Sequence, residues 1–309
     1  MGKGVTQTLL LVSATALLLL LAGCSDEMPT GFSPFKAAKG EMTGATIVFD
    51  GLVNPSITGA HYEAWAITEA KWVSLGKFLL DVDGSVVDFD GNAIERFDGG
   101  ENIANADTLA ITQEPPNDRD SIPSATVIMS GVIKADMAAL SAPLPQNFRQ
   151  QMRGKFIIGA PTGGPNNTAM PYGVWFVDPA IGPGLVLPFL PNGWKYEGWV
   201  NKEDEYVSTG KFTITVGRDE SDIHSGPYPA PPYPGEDFFN RPPLYVTFPY
   251  DVRGARVFVT IEPDPDDHEN LPFQFELLSA TVPADGTANT VYTMTNLYQG
   301  FPTGQAILY

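Results

Sequence analysis

Cysteine, histidine and basic residues are scarce in this chain of 309 residues. The single cysteine cannot form an intramolecular disulfide bond, and three histidines offer little material for a zinc site or a histidine-based catalytic centre. Only 18 lysines and arginines oppose 36 aspartates and glutamates, which gives a net charge of −18. Because binding of nucleic-acid phosphates requires cationic side chains, we expect no nucleic acid among the partners.

Sequence motifs of the common enzyme classes are also missing. The chain has no Gly-x-Ser-x-Gly motif, no Gly-rich phosphate-binding loop and no cysteine–histidine pair for nucleophilic catalysis. His61, His224 and His268 occupy unrelated contexts, and only His61 adjoins one of the repeated motifs described below. Paired carboxylates could hydrolyse glycosides, but no pair stands out in the sequence. We therefore predict that the chain is not an enzyme and has no catalytic residues, no cofactor and no metal ion.

Glycine and proline are abundant, with 31 and 28 residues, and hydrophobic residues make up 43% of the chain. This composition suits many short strands and turns around a sizeable core better than a helical bundle. Alternating apolar positions, rich in β-branched and aromatic residues, favour strands at 46–49, 77–81, 125–133, 212–216, 256–261 and 273–278. Asp-Gly pairs at 50–51, 83–84 and 90–91 and the Asn-Gly pair at 192–193 are typical of hairpin turns.

The N-terminal segment 1–24 has the composition of a secretory signal. Lys3 precedes an apolar stretch at 9–22, which is shorter than the ~20 residues of a membrane-spanning helix. The tetrapeptide Leu21-Ala22-Gly23-Cys24 resembles the lipobox of bacterial lipoproteins. The resemblance implies that residues 1–23 are a signal peptide, cleaved before Cys24, and that acyl chains such as palmitate modify the thiol and the new amino group. The alternative is a free cysteine at the end of an uncleaved membrane anchor.

A lipoprotein of this kind is anchored to a membrane of the bacterial cell envelope and keeps its body outside the cytoplasm. Burial of acyl chains stabilises the anchor by about 0.8 kcal/mol for each CH₂ group. Ser25 follows the cysteine, and an aspartate at this position in enterobacterial lipoproteins favours the inner membrane. The outer membrane is therefore slightly favoured here. Residues 24–43 have no clear periodicity and are predicted to form a tether.

Two segments of the chain repeat each other. The motifs Tyr-Glu-x-Trp and Val-Ser-x-Gly-Lys-Phe occur at 62–65 and 73–78, and both recur at one common offset, at 196–199 and 207–212. The motif Thr-x-Glu-Pro occurs at 112–115 and recurs at a larger offset, at 260–263, so the second copy gains an insertion, which we place around 227–243. We predict an all-β chain with two tandem homologous β-sandwich domains, at 44–142 and 170–309, joined by a linker at 143–169 that could include a short helix near 137–155.

The repeated residues are the candidate contact residues of both copies, and a structural role is expected for them. In an extended strand, Glu63 and Trp65 share one face and Tyr62 lies on the other, and we expect the Trp face to be the core face. A carboxylate near the core needs a partner, and Lys77 stands in the same repeated frame. A Glu–Lys pair, or a glutamate bonded to a backbone N–H, is therefore predicted in each copy, with a general acid or a ligand contact as the alternative. The candidate residues are Tyr62, Glu63, Trp65, Lys77, Glu114, Tyr196, Glu197, Trp199, Lys211 and Glu262.

Four other segments admit more than one interpretation. The acidic residues at 81–91 and 264–269 invite a calcium site, but the first lacks the spacing of an EF-hand loop and prolines disfavour a wrapping loop in the second, so turns are expected. Residues 174–191 are predicted to form core strands joined by tight turns, with a groove for an apolar partner as the alternative. The Pro-Tyr segment 228–234 is expected to be an extended surface loop whose rings could stack on a sugar or a partner chain.

The order of the three repeated motifs resembles the C-terminal, extracytoplasmic domain of anti-sigma-K factors. The resemblance covers most of 45–135 and 170–283 and implies an all-β, sensor-like domain outside the membrane. An anti-sigma factor also needs a cytoplasmic helical part and a membrane-spanning helix, and only the short segment 1–23 precedes Cys24. We therefore expect the fold and the compartment to carry over, but not the binding of a sigma factor. The matching residues are Tyr62, Glu63, Trp65, Gly76, Phe78, Thr112, Glu114 and Pro115, with Tyr196, Glu197, Trp199, Gly210, Phe212, Thr260, Glu262 and Pro263.

Together these patterns predict a lipid-anchored envelope protein that acts as a non-enzymatic binding or sensing module. The expected partners are the membrane, through the lipid, and another envelope protein or a glycan. The alternatives are an envelope hydrolase with a carboxylate-based site and a structural spacer. A cleft with convergent ionisable groups would favour the hydrolase, and an exposed aromatic or apolar patch would favour binding.

Replacement of Cys24 by alanine is expected to abolish lipid attachment, because the acyl acceptor is removed. Incorporation of a fatty-acid analogue into the chain, followed by gel detection in bacterial cells, measures this loss. Ser25→Ala is the matched control and is expected to keep the label. Equal labelling of the wild type and of Cys24→Ala would refute the anchor.

Overall fold

The computed structural model describes residues 40–55, 59–69, 71–142, 144, 150–244, 246–266 and 270–309. The predicted signal peptide, Cys24, most of the predicted tether and His268 lie outside these residues. The described residues form 20 β-strands and two single-turn 3-10 helices, Pro161–Gly163 and Tyr298–Gly300, and they contain no α-helix. Among these same residues there is no helix whose length and hydropathy would suit a membrane crossing.

The strands are short and are separated by the turns and loops that the glycine and proline content predicts. In chain order they are β1 (Gly44–Asp50), β2 (His61–Ile67), β3 (Trp72–Leu80), β4 (Val86–Val87), β5 (Phe97–Asp98), β6 (Thr108–Glu114), β7 (Val127–Lys134), β8 (Met137–Ser141), β9 (Arg153–Ile158), β10 (Gly173–Trp175), β11 (Val177–Asp178), β12 (Gly182–Pro183), β13 (Leu185–Val186), β14 (Trp194–Lys202), β15 (Glu205–Phe212), β16 (Gly235–Asp237), β17 (Arg256–Pro263), β18 (Phe275–Thr281), β19 (Val291–Asn296) and β20 (Thr303–Leu308).

Two large curled sheets make up the fold, which confirms the all-β prediction with two repeat-based halves. The first is a half-barrel of nine strands in the order β4-β3-β2-β6-β7-β8-β20-β1-β5. The second is a nearly closed barrel in the order β15-β14-β17-β18-β19-β9-β10-β16, to which β13 adds through β9. A small separate ribbon joins β11 and β12.

The repeat appears in the structure as the same four-stranded unit, β3-β2-β6-β7 in the first sheet and β15-β14-β17-β18 in the second. The register agrees residue by residue along the repeated motifs. Equivalent pairs place Glu63 opposite Lys77 and Thr112, and Glu197 opposite Lys211 and Thr260. The two copies therefore bring the same side chains together.

The motif Val-Ser-x-Gly-Lys-Phe forms a β-bulge in each copy. One extra residue, Leu75 in β3 or Thr209 in β15, has no direct counterpart on the neighbouring strand. Gly76 and Gly210 follow it with φ of +139° and +111°, a backbone conformation that side chains disfavour. The repeated glycine is thus required by the bulge, which bends the strand over its neighbour.

The main hydrophobic core lies on the tyrosine face of the repeated strands. It includes Tyr62, Ala64 and Ala66 and continues through Tyr196 into the second sheet. The prediction that the Trp face is the core face is wrong, because the curled sheets enclose the tyrosine and phenylalanine rings on their inner side. Trp65 is also fully buried, but on the opposite face of β2, and alternation cannot identify the core when both faces are covered.

The predicted domain boundaries differ from the structure in two places. The predicted linker at 143–169 contains β9, which pairs with β19 and β10 inside the second sheet, and the possible helix near 137–155 begins with strand β8. The last strand of the predicted second domain, β20, pairs with β1 and β8 of the first sheet. The half-barrel needs this distant strand because β1 and β8 would otherwise expose unpaired edges.

Most predicted strands are present, with one exception. The patterns at 46–49, 77–81, 125–133, 256–261 and 273–278 fall largely in β1, β3, β7, β17 and β18, and 174–191 contains β10 to β13. The strand predicted at 212–216 is wrong beyond Phe212, where β15 ends. Of the predicted hairpin turns, 83–84 lies in the loop between the paired strands β3 and β4, whereas 50–51 and 192–193 do not join paired strands.

Candidate functional site

A buried chain of hydrogen bonds runs across the Trp face of the first copy. The Trp65 indole N–H donates to the Thr112 hydroxyl at 2.8 Å, and that hydroxyl donates to the Glu114 carboxylate. The backbone N–H of Ser124 then donates to both oxygens of Glu114, at 3.1 and 3.2 Å. Threonine and glutamate lie two residues apart on β6 and thus share a face, which is why Thr-x-Glu is the repeated spacing.

The second copy builds the same chain with the same groups. The Trp199 indole N–H donates to the Thr260 hydroxyl at 2.9 Å, and that hydroxyl donates to Glu262. The backbone N–H of Phe273 donates to both Glu262 oxygens, at 3.0 and 3.1 Å. In both copies, the loop that follows the strand with the Thr-x-Glu-Pro motif is thereby fixed to the glutamate carboxylate near the end of that strand.

A second set of polar contacts lies beside the first. In the first copy the Ser74 hydroxyl donates a hydrogen bond to the Glu63 carboxylate. Lys77 forms an ion pair with Asp118, and its ammonium group also lies 3.8 Å from the Glu63 carboxylate. The predicted Glu63–Lys77 pair is therefore present, but Asp118 is the closer partner of the lysine. The Lys77 hydrogen bond holds the pKa of Asp118 below its usual value.

The second copy repeats the serine and aspartate contacts of this arrangement. The Ser208 hydroxyl donates to Glu197, and Lys211 binds Asp266 at 2.8 Å, with Glu197 opposite the lysine in register. The lysine of each copy is thus bound first by the aspartate that follows Glu-Pro by three residues. That aspartate was visible in the sequence at the same offset in both copies, and this was the signal for its role.

Eight of the ten candidate residues meet in these two clusters, and two do not. Tyr62 and Tyr196 lie on the opposite, core face, where their hydroxyls donate to the backbone carbonyls of Val53 and Pro188 at 2.5 Å. The Tyr62 hydroxyl also accepts a hydrogen bond from Gln274 at 2.9 Å, which links the two halves of the chain. The residues that sequence reasoning missed are the hydrogen-bonding partners Thr112, Thr260, Ser74, Ser208, Asp118 and Asp266.

Burial raises the pKa of two glutamates in these clusters. Burial raises the pKa of Glu262 to about 8, and hydrogen bonds from Thr260 and from the Phe273 backbone oppose the shift only in part. Burial likewise raises the pKa of Glu63, against the Ser74 hydrogen bond and the charge of Lys77. A pKa near 8 keeps Glu262 mostly protonated and neutral at pH 7, so the second cluster carries less negative charge than its composition indicates.

Three acidic side chains of the second cluster are close enough to be compared with a metal site. Oxygens of Glu197, Glu262 and Asp266 all lie within 4.8 Å of one another. The counter-charge at this point is the Lys211 ammonium, which binds Asp266, and the raised pKa of Glu262 favours its neutral form. The donor set therefore fits an internal ion pair better than a divalent cation.

A cavity of about 450 Å³ opens above the Trp face of the second copy. Its floor is provided by β14 and β15, and its wall by the long connection between β15 and β17, where the sequence comparison places the insertion. Asn270 completes the rim. The lining residues are Glu197, Trp199, Tyr206, Ser208, Gly210, Lys211, Glu220, Ser221, Ile223, His224, Arg241, Pro243 and Asn270.

The wall of the cavity is held by buried carboxylates of its own. Glu236 accepts hydrogen bonds from the Ser225 hydroxyl and from the His224 backbone N–H, the latter at 3.3 Å. Asp237 accepts from the Trp175 indole N–H at 2.7 Å and from the Thr162 hydroxyl at 2.6 Å. Burial raises the pKa of Glu236 to about 8 and that of Asp237 to about 6. These contacts tie the inserted segment to the barrel.

Asp219 anchors the same wall near the bulge of β15. Its carboxylate accepts hydrogen bonds from the backbone N–H groups of Gly235 at 2.7 Å and Ser221 at 3.3 Å. A side chain at Gly210 would collide with it, since a Cβ atom there would lie 2.6 Å from the Asp219 carboxyl carbon. Two features therefore require glycine at position 210: its backbone conformation and the close approach of the Asp219 carboxyl group.

The remaining segments that the sequence singled out lie elsewhere. The turns at 81–91 are closed by their own aspartates, with Asp83 accepting from the Ser85 N–H and Asp88 from the Asn92 N–H. In the Pro-Tyr segment, half-exposed Tyr228 packs against Gly164 beside a shallower cavity of about 370 Å³. Of residues 264–269, positions 267–269 lie outside the described residues.

An apolar depression of about 290 Å³ lies on the outer face of β1, β8 and β20. Val48, Met137 and Ile307 line it and are each more than half exposed. None of the described residues that line it is titratable, and it is separate in the fold from the polar clusters described above.

Comparisons of the chain with protein-family models, with curated proteins and with solved structures found no match. The lipobox and the anti-sigma-K resemblance therefore stay predictions from the sequence.

Glu262→Gln is expected to make the chain less sensitive to alkaline pH. A carboxyl whose pKa is raised on folding stabilises the folded state fully below its unfolded pKa, about 4.5, and this stabilisation is lost as the pH rises through about 8. The wild type should lose stability from about pH 4.5 to about pH 8, and the neutral amide should remove part of that loss. From pH 5 to pH 9, we expect the melting temperature of the variant to fall about 5 °C less than that of the wild type. This figure follows because 1 kcal/mol corresponds to about 2–3 °C in a chain of this size.

Thermal unfolding followed by circular dichroism at several pH values measures this difference. Asp285→Asn, at an exposed loop position, is the control and should follow the wild type. Parallel curves for Glu262→Gln and the wild type from pH 5 to pH 9 would contradict the assignment.

Proposed function

We propose that the chain is a lipid-anchored protein of the bacterial cell envelope that binds a glycan in the cavity of its second repeat and catalyses no reaction. The observation that carries the proposal is that cavity, about 450 Å³ in volume and lined in part by the connection between β15 and β17, within which the insertion lies. Ligand sites in proteins commonly measure about 300–1,000 Å³. A structural spacer would not need such a cavity.

The chemistry of the lining supports a glycan. Sugar hydroxyls donate and accept hydrogen bonds, and the rim offers Ser221, Asn270 and the carboxylate of Glu220 for both roles. The apolar faces of a sugar ring pack on aromatic side chains, and half-buried Tyr206 lines the cavity beside the buried Trp199. The cavity thus offers both polar and aromatic side chains to a ligand.

The position of the carboxylates speaks against the hydrolase alternative. Glycosidases hold two carboxyl groups about 5–5.5 Å or about 6.5–9.5 Å apart on either side of the bond that is cleaved. The closely grouped Glu197 and Glu262 instead serve in the hydrogen-bond clusters that the first copy repeats with Glu63 and Glu114. A role shared by both copies is explained by folding, whereas the wall of the cavity comes from the β15–β17 connection, which is longer in the second copy.

The envelope location is supported by the sequence of the N-terminus. The lipobox-like residues 21–24 would place a lipid at Cys24, a short tether before β1, and the net charge of −18 would keep the body away from anionic headgroups. A glycan-binding body on a tether is consistent with the sensor-like role that the anti-sigma-K resemblance implies.

Tyr206→Ala is expected to weaken glycan binding at least tenfold, because the aromatic contact of the cavity is lost. Trp72 occupies the equivalent position of the first repeat, packing edge-on against Trp65 as Tyr206 packs against Trp199. Trp72→Ala is therefore the matched control, and its binding should be unchanged. Detergent-solubilised full-length chain on a glycan array, followed by calorimetric titration of the bound glycans, provides the measurement.

Two results would count against the proposal. One is retention of no glycan by the wild-type chain, and the other is equal binding by the Tyr206 and Trp72 variants. Crosslinking in intact cells from the cavity rim that captures the same envelope protein reproducibly would favour a protein partner instead. Release of a smaller sugar from a bound glycan, abolished by Glu197→Gln, would favour the hydrolase.

A further inference from the structure

One charged group of the cavity lacks a partner of opposite sign among the described residues. Arg241 is exposed and lines the cavity. Of the ion pairs in the described part of the chain, none includes its guanidinium group. Arg241 therefore offers the cavity a positive charge that no described carboxylate neutralises.

The other charged groups that line the cavity are bound within the protein. Lys211 binds Asp266 at 2.8 Å, and Glu220 binds Lys195 at 2.8 Å. Glu197 accepts the Ser208 hydroxyl and faces Lys211 in the strand register. The charge of Arg241 is therefore the one that a ligand can neutralise.

The backbone around Arg241 is fixed by its neighbours. Its φ of +50° lies in the left-handed region, which residues other than glycine seldom adopt. Asn240, the preceding residue, donates its side-chain amide to the Ser225 carbonyl at 2.5 Å and its backbone N–H to the His224 carbonyl at 3.0 Å. Ser225 and His224 are in turn bound to the buried Glu236. The arginine is thus presented at the rim from a constrained turn, as ligand-binding residues often are.

We propose that the glycan bound in this cavity is acidic, and that the carboxylate of one of its sugars binds the guanidinium of Arg241. This inference rests on the proposed function. The planar guanidinium donates two parallel hydrogen bonds to a planar carboxylate, so binding depends on the orientation of the ligand's carboxylate as well as on its charge. The uncharged part of the same sugar then lies against Tyr206 and within reach of the Ser221 and Asn270 side chains, which line the same cavity.

The test uses an array on which each carboxylated glycan is paired with its methyl ester, alongside neutral and sulfated glycans. The full-length chain in detergent is expected to bind a carboxylated glycan at least tenfold more tightly than its ester. Arg241→Gln should lower binding of the acid to the level of the ester and leave ester binding unchanged. Arg241→Lys should retain part of the preference, because it keeps the charge but loses the paired hydrogen bonds.

Arg253→Gln is the matched control, since Arg253 is a partly exposed arginine outside the cavity that binds Asp251. It should bind like the wild type. A second outcome is that the chain binds a neutral or sulfated glycan, that this binding depends on Tyr206, and that Arg241→Gln leaves it intact. That outcome would overturn the inference of a carboxylated ligand and leave the glycan proposal standing. Binding of no glycan at all would overturn both.

Discussion

The hydrogen-bond chain from tryptophan through threonine to glutamate is the constraint on which each half of the structure depends. A buried carboxylate costs several kcal/mol if its oxygens lack donors, and a buried indole N–H needs an acceptor. The Thr112 hydroxyl satisfies both at once, and the Ser124 backbone completes the Glu114 carboxylate. One chain of contacts therefore fixes the pairing of β2 with β6 and the course of the loop that follows.

The same constraint keeps the strand register of the two copies alike although the connections around their clusters differ in length. Trp199, Thr260 and Glu262 hold the floor of the second copy in the register seen in the first. The connection from β15 to β17 could therefore lengthen without loss of the sheet, and its own carboxylates, Asp219 and Glu236, tie it down. A rigid floor beneath an inserted wall is a suitable base for a binding site, because ligand contacts need fixed supports.

Sequence patterns predicted the local structure well and the long-range arrangement poorly. Shared motifs at one offset predicted the repeat, and alternation predicted most strands, because both are local properties of the chain. Alternation gave the wrong core face at Trp65, since both faces of β2 are buried. The pairing of β20 with β1 joins the last strand to the first, and no local pattern records such a contact. The Glu63–Lys77 pair was predicted, but the closer partner of the lysine was not, because Asp118 reaches Lys77 from a loop and not from the paired strand.

The cavity was beyond sequence reasoning for a related reason. Residues 213–234 contain no strand and have no periodicity, so their place over β14 and β15 depends on side-chain contacts such as those of Asp219. Arg241 gave no signal either, since its distinguishing features are a backbone angle and the absence of an ion pair within the described residues. Only the greater length of the second copy between its repeated motifs pointed to this region.

Hydrogen exchange at the indole N–H groups tests the shared buried chain most directly. Indole ¹⁵N labelling of the five tryptophans, with assignment by single Trp→Phe replacements, allows each site to be followed by NMR after transfer to D₂O. The account predicts that the Trp65 and Trp199 protons exchange slowly and at similar rates, far more slowly than that of the partly exposed Trp72. Exchange of either proton as fast as that of Trp72 would contradict it.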